Sequence, residues 1–125
     1  MVNIITLIWG VQSWRKSLRE KWTNNLRDTG AELIGAAEKV YAEALISGVV
    51  SRPEIISTFI VKEQKFLFLF ADNKKEKDSF KHKIEALREA AESANANNYR
   101  TKLDEFSEAV NAKILKEWKQ LNCII

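Results

Sequence analysis

The stretch Trp22-Thr23-Asn24-Asn25-Leu26-Arg27-Asp28-Thr29-Gly30-Ala31-Glu32-Leu33-Ile34-Gly35-Ala36-Ala37-Glu38-Lys39-Val40 decides the fold. Within it Trp22, Leu26, Gly30, Leu33, Ala37 and Val40 recur at steps of four and three, the period that keeps one stripe of an α-helix facing a partner. The stripe runs back through Leu18, Trp14, Val11 and Leu7 and forward to Ala44, so a first helix is expected from about Ile4 to about Ile46. Gly30 and Gly35 interrupt the pattern, each costing a helix roughly 1 kcal/mol relative to alanine. A break or kink near Thr29-Gly30 is therefore the alternative to one continuous helix.

Outward from this helix, Ser47-Gly48-Val49-Val50 reads as its stop, with glycine just past the last periodic residue. Ser51-Arg52-Pro53-Glu54 reads as the next start: serine caps, proline tolerates the first turn, and glutamate follows three residues after the serine. A second helix over 52–71 carries Ile56, Phe59, Ile60, Glu63, Phe66, Leu67 and Phe70. Its end, Phe66-Leu67-Phe68-Leu69-Phe70, also suits a buried strand, but a lone strand among helices has nothing to pair with. Phe68 and Leu69 point away from the Phe66/Phe70 stripe. A polar loop over Asp72–Asp78 leads to a third helix over 76–95, with Phe80, Ile84, Leu87, Ala91 and Ala94 in step. Ser93 to Asn98 ends it, because asparagine prefers turns to helix interiors. The fourth helix, over 99–121, carries Leu103, Phe106, Val110, Ile114, Trp118 (Glu117 at the strict register) and Leu121. The expected fold is all-α: one domain over 1–125, an antiparallel bundle of about four helices with a long N-terminal one.

Composition agrees. Four glycines and one proline argue against an all-β sandwich or barrel, which needs frequent turn residues. One cysteine excludes a disulfide framework, and with one histidine it excludes a zinc site of the usual kind. The net charge of +3 is too mixed to name a partner.

The charge is unevenly spread, however. Residues 1–27 carry Arg15, Lys16, Arg19, Lys21 and Arg27 against Glu20 alone, whereas residues 28–51 carry Lys39 against four acids. The basic block follows the apolar run Ile4-Ile5-Thr6-Leu7-Ile8-Trp9, the order found at the inner edge of a membrane span. The run from Met1 to Val11 is shorter than the roughly 20 residues a spanning helix needs. With no basic residue before it and no cleavage site after it, the run is no ordinary signal peptide. Cys123 is third from the end rather than fourth, which rejects prenylation.

Little points to chemistry. The glycines form neither a phosphate-cradling loop nor a dinucleotide fingerprint, so no cofactor is expected. His82 and Glu85 lie one turn apart, which reads as a solvent-facing pair rather than an acid–base couple. Lysines between Lys62 and Lys83 are interleaved with Glu63, Asp72, Glu76 and Asp78, which disfavours a nucleic-acid partner. No enzyme activity is expected. The tryptophans are sharper: Trp9, Trp14 and Trp22 fall in the first 22 residues. Trp14 and Trp22 read as core residues on the stripe, as interfacial anchors beside Arg15, Lys16 and Arg19, or as part of a protein-binding patch.

Trp14-Arg15-Lys16 with Trp22-Thr23-Asn24-Asn25-Leu26-Arg27-Asp28 resembles the juxtamembrane helix of small bacterial membrane-anchored helical proteins, which have no established activity. Ile114-Leu115-Lys116-Glu117-Trp118-Lys119 resembles their closing helix, and Phe66–Phe70 with Asp72–His82 resembles their apolar helix and polar turn. The resemblance implies a cytoplasmic helical domain at the inner face of a membrane. The chain departs from that pattern at its N-terminus, where about half a span is present.

These readings converge on a non-enzymatic helical interaction module, associated with a membrane surface or with another protein's helices. The expected contact residues are Ile4, Ile5, Leu7, Ile8, Trp9, Trp14, Arg15, Lys16, Arg19 and Trp22. The alternative is a soluble partner-binding or homo-oligomeric protein, such as a phage- or mobile-element-encoded inhibitor of a host complex.

Overall fold

The computed structural model describes the backbone of residues 4–48 and 52–124, and the side chains of residues 14–48 and 52–119. Four helices follow in order: α1 (Ile4–Ser47), α2 (Pro53–Leu67), α3 (Lys74–Glu92) and α4 (Ala96–Ile124), with a 3-10 turn at Phe68–Phe70. The fold is all-α, as the periodicity predicts, with no strand among the described residues.

α1 runs unbroken through Gly30. A Cβ on Gly30 would lie 3.6 Å from Val110 and 3.8 Å from Phe66, ordinary van der Waals contact, so this position of α1 faces α4 and α2 and the glycine lowers helix propensity without breaking the helix. Thr23 and Thr29, both buried, bond their hydroxyls back to helix carbonyls, the first to Arg19 and Glu20 and the second to Asn25 and Leu26. Those bonds satisfy hydroxyls that would otherwise be costly inside a core. Leu26, Leu33, Ala37, Val40 and Ala44 are all buried, as the stripe requires. The helix ends where expected, at Gly48, whose φ of 76° is left-handed and whose N–H donates to the Ala44 carbonyl at 2.9 Å.

Four boundaries differ from expectation. Ser51 lies outside the described residues, and the residue capping α2 is Arg52, whose side chain makes no cap bond. α2 does not run to 71: it stops at Leu67 and tightens into the 3-10 turn, which buries Phe70 while leaving Phe68 exposed. The expected loop at 72–78 shrinks accordingly. Asn73 caps α3 by accepting the Glu76 N–H at 3.2 Å, so the helix begins at Lys74. At the other end Ala94 takes a left-handed φ of 55°, and Asn95 accepts the Asn98 N–H at 3.1 Å. α4 therefore starts at Ala96, three residues early, because one asparagine suffices as its cap.

α1 packs against all three other helices. Antiparallel register is set by pairs along its length: Glu43 with Arg52, Glu32 with Lys65, and Trp22 with Leu69 on the α2 side. Glu38 accepts a 2.8 Å bond from the Tyr99 hydroxyl of α4, and Tyr41 stacks on that ring at 4.2 Å. The core is aromatic where α2, α3 and α4 converge, with Phe66 lying 5.2 to 5.5 Å from Phe70, Phe80 and Phe106. Ala36 and Ala37 of α1 and Ala90 and Ala91 of α3 are buried, short side chains that let these helices approach.

The helices have unequal reach. Trp22 lies level with the α2–α3 turn, so residues 4–21 of α1 continue past it for about 27 Å. Lys113 lies beside the first turn of α3, and residues 114–124 of α4 continue for about 16 Å. The bundle thus carries a two-helix extension at one end.

Candidate functional site

At the step between bundle and extension, α1, α4 and the α2–α3 turn enclose an open cleft of about 570 Å³. Trp22 forms its floor. The indole N–H donates to the Leu69 carbonyl at 3.2 Å, and the ring stands edge-on to Phe70 at 5.7 Å. Lys113 lies over the indole and donates to Glu76 at 2.8 Å and to Glu117 at 3.1 Å, and Glu117 also pairs with Arg19. Burial by itself would lower the Lys113 pKa, but the bonds to Glu76 and Glu117 outweigh it, and the net shift is upward. Four charges thus form a ladder from α1 through α4 to the first turn of α3. Arg15 and Asp72 lie at its edges, both exposed.

Chemically, this arrangement is a latch. Its cations and carboxylates neutralise one another, and its aromatic floor is occupied by Trp22 itself. No group of three or more His, Cys, Asp or Glu able to hold a metal occurs among the described residues.

The ten residues expected to make external contacts divide into three sets. The side chains of Ile4, Ile5, Leu7, Ile8 and Trp9 lie outside the described residues. Arg19 and Trp22 are drawn into the ladder and its floor. Trp14, 63% exposed, and Arg15 remain on the surface, and Lys16 is half-buried. Trp22 therefore fits the core reading, partly, and Trp14 does not.

Lys113, Glu117 and Glu76 were not among the expected site residues. The available signal was a carboxylate at the strict apolar register of α4, and Glu117 is indeed buried, with Trp118 half-buried beside the core. Glu63, on the apolar stripe of α2, gives the same signal with the opposite outcome. It is buried, and its Oε2 has no hydrogen-bond partner. Burial raises its pKa, Arg88 and Lys81 oppose the rise, and Glu85 adds to it. His82 is exposed, as read from its surroundings.

Set against known protein families, curated proteins and solved structures, the chain matches none of them. Among the described residues no helix is long and apolar enough to cross a membrane.

Proposed function

We propose that this protein is a non-enzymatic helical interaction module that associates with a membrane surface through α1, on the cytoplasmic side. The observation that carries the reading is Trp14, 63% exposed on the part of α1 that projects past the bundle, with Leu18 46% exposed one turn on. A large indole left in water beside Arg15 suits the interface between acyl chains and headgroups. The apolar Ile4–Trp9 sequence lies further along the same helix. Flotation of the full chain beside a form lacking residues 1–11, on neutral and anionic vesicles, tests it: only the full chain is expected to float.

A second reading, a soluble partner-binding or self-assembling protein, is favoured by Arg19 and Trp22. Their bonds to Glu117 and Leu69 withdraw them from lipid, while the stripe through Trp14 and Leu18 stays open to another helix. If neither form floats and the truncated one loses its oligomeric state, that reading stands.

A further inference from the structure

Folding sorts the charges of this chain in a way its order along the sequence conceals. The contacts of Trp22 with Leu69, Glu76 with Lys113, and Arg19 with Glu117 bring residues 4–27, 66–83 and 113–124 to one end of the molecule. Those segments carry side-chain balances of +4, +2 and +2, a net +8. The contacts of Arg52 with Glu43 and of Tyr99 with Glu38 hold residues 28–48, 52–65 and 84–112 toward the other end. Their balances are −3, +1 and −3, a net −5. The carboxylates of the ladder, Glu76 and Glu117, are already counted at the basic end, so the surplus there is not consumed by the internal ion pairs. Exposed Trp14, Leu18 and Phe68 stand at that same end.

We propose that this axial charge polarity docks the protein end-on to an anionic bilayer, with the N-terminal part of α1, the α2–α3 turn and the C-terminal part of α4 toward the lipid and the acidic end away. The inference rests on the membrane reading above and adds to it the lipid chemistry, the orientation and a role for α4. An anionic surface attracts one end and repels the other, which both binds and orients the molecule. Exposed indole and aliphatic groups at the attracted end then gain apolar contact that charge alone does not supply. Two copies meeting by their basic ends would repel, which disfavours a symmetric dimer through this surface.

The test uses two full-length variants of equal net charge. Lys116→Glu with Lys119→Glu reverses two exposed lysines at the basic end, and Arg100→Glu with Lys102→Glu reverses two cations near the start of α4 at the other end. Binding is measured on phosphatidylcholine vesicles with and without phosphatidylserine, at low and high salt. At low salt the first variant is expected to lose about tenfold or more in affinity for anionic vesicles, while the second stays within about twofold of wild type. Lys116→Gln with Lys119→Gln, which introduces no acid, gives a smaller loss in the same direction and serves if the reversal disturbs folding. Equal loss in both variants would mean that net charge alone matters, and the inference fails while membrane association survives. Wild-type binding that ignores phosphatidylserine sinks it likewise. A full chain that floats on no vesicle overturns the inference and the membrane reading together, and concentration-dependent end-to-end association would then identify the acidic end of another copy as the partner.

Discussion

Lys113 of α4 lies over the indole of Trp22 of α1, its Nζ 5.7 Å from the ring centroid, with the ammonium held from both sides by Glu76 and Glu117. One side chain thereby ties three elements at the point where the bundle narrows to two helices. Cation–π attraction adds to the ion pairs, and all are strengthened by partial removal from water.

Removing this cation leaves Glu117 buried with Arg19 as its remaining partner in the ladder. Lys113→Ala is expected to destabilise the fold by about 2 kcal/mol, below the cost of breaking a fully buried pair because Arg19 still compensates. Urea denaturation with a Lys113/Glu76 double-mutant cycle measures it, and a coupling energy indistinguishable from zero would refute the ladder.

Glu63 supplies a pH dependence whose sign follows from burial. Its folded pKa is raised above the ordinary 4.5, so the folded state binds the proton more tightly than the unfolded one. The associated stability is fully present below about 4.5 and is lost as pH rises through the folded pKa. Glu63→Gln is therefore expected to be more stable than wild type at pH 7, with the advantage fading as pH falls toward 4.5. Thermal melts of both proteins across this range check it, and a difference that grows on acidification would contradict the assignment.

The two left-handed residues among those described should respond in opposite directions. Ala94, at φ 55°, carries a Cβ where glycine has none, so Ala94→Gly is expected to stabilise by about 0.5–1 kcal/mol after the extra freedom of the unfolded chain is subtracted. Gly48→Ala places a Cβ at φ 76° and is expected to cost about 1 kcal/mol. Calorimetry on the pair tests both signs at once.

Much of the bundle was legible because burial follows helical spacing. Leu26, Leu33 and Val40 fall where the period puts them, and Gly48 stops α1 because an αL residue is needed there. The turn at 68–74 was not legible. Asp72, Asn73 and Asp78 are all competent caps, and the choice of Asn73 depends on Phe70 being pulled into the core. Gly30 reads as a break because its propensity cost is local, whereas the helix is carried through it by the burial of Leu26 and Leu33 on either side.

By itself, then, the sequence determined the class of fold, about four helices and their order, and the concentration of tryptophan and basic residues near the start of α1, while leaving open whether that helix runs through Gly30. Tertiary structure alone decided that Trp14 stands in water while Trp22 is bound to Leu69, that Glu117 pairs with two cations while the buried Oε2 of Glu63 has no hydrogen-bond partner, and that three separate basic segments share one end. The physical reason is range. Helical periodicity and capping act over a few residues, but the burial, pairing and summed charge of a side chain depend on whichever helix lies across from it, and that register is set only when all four pack.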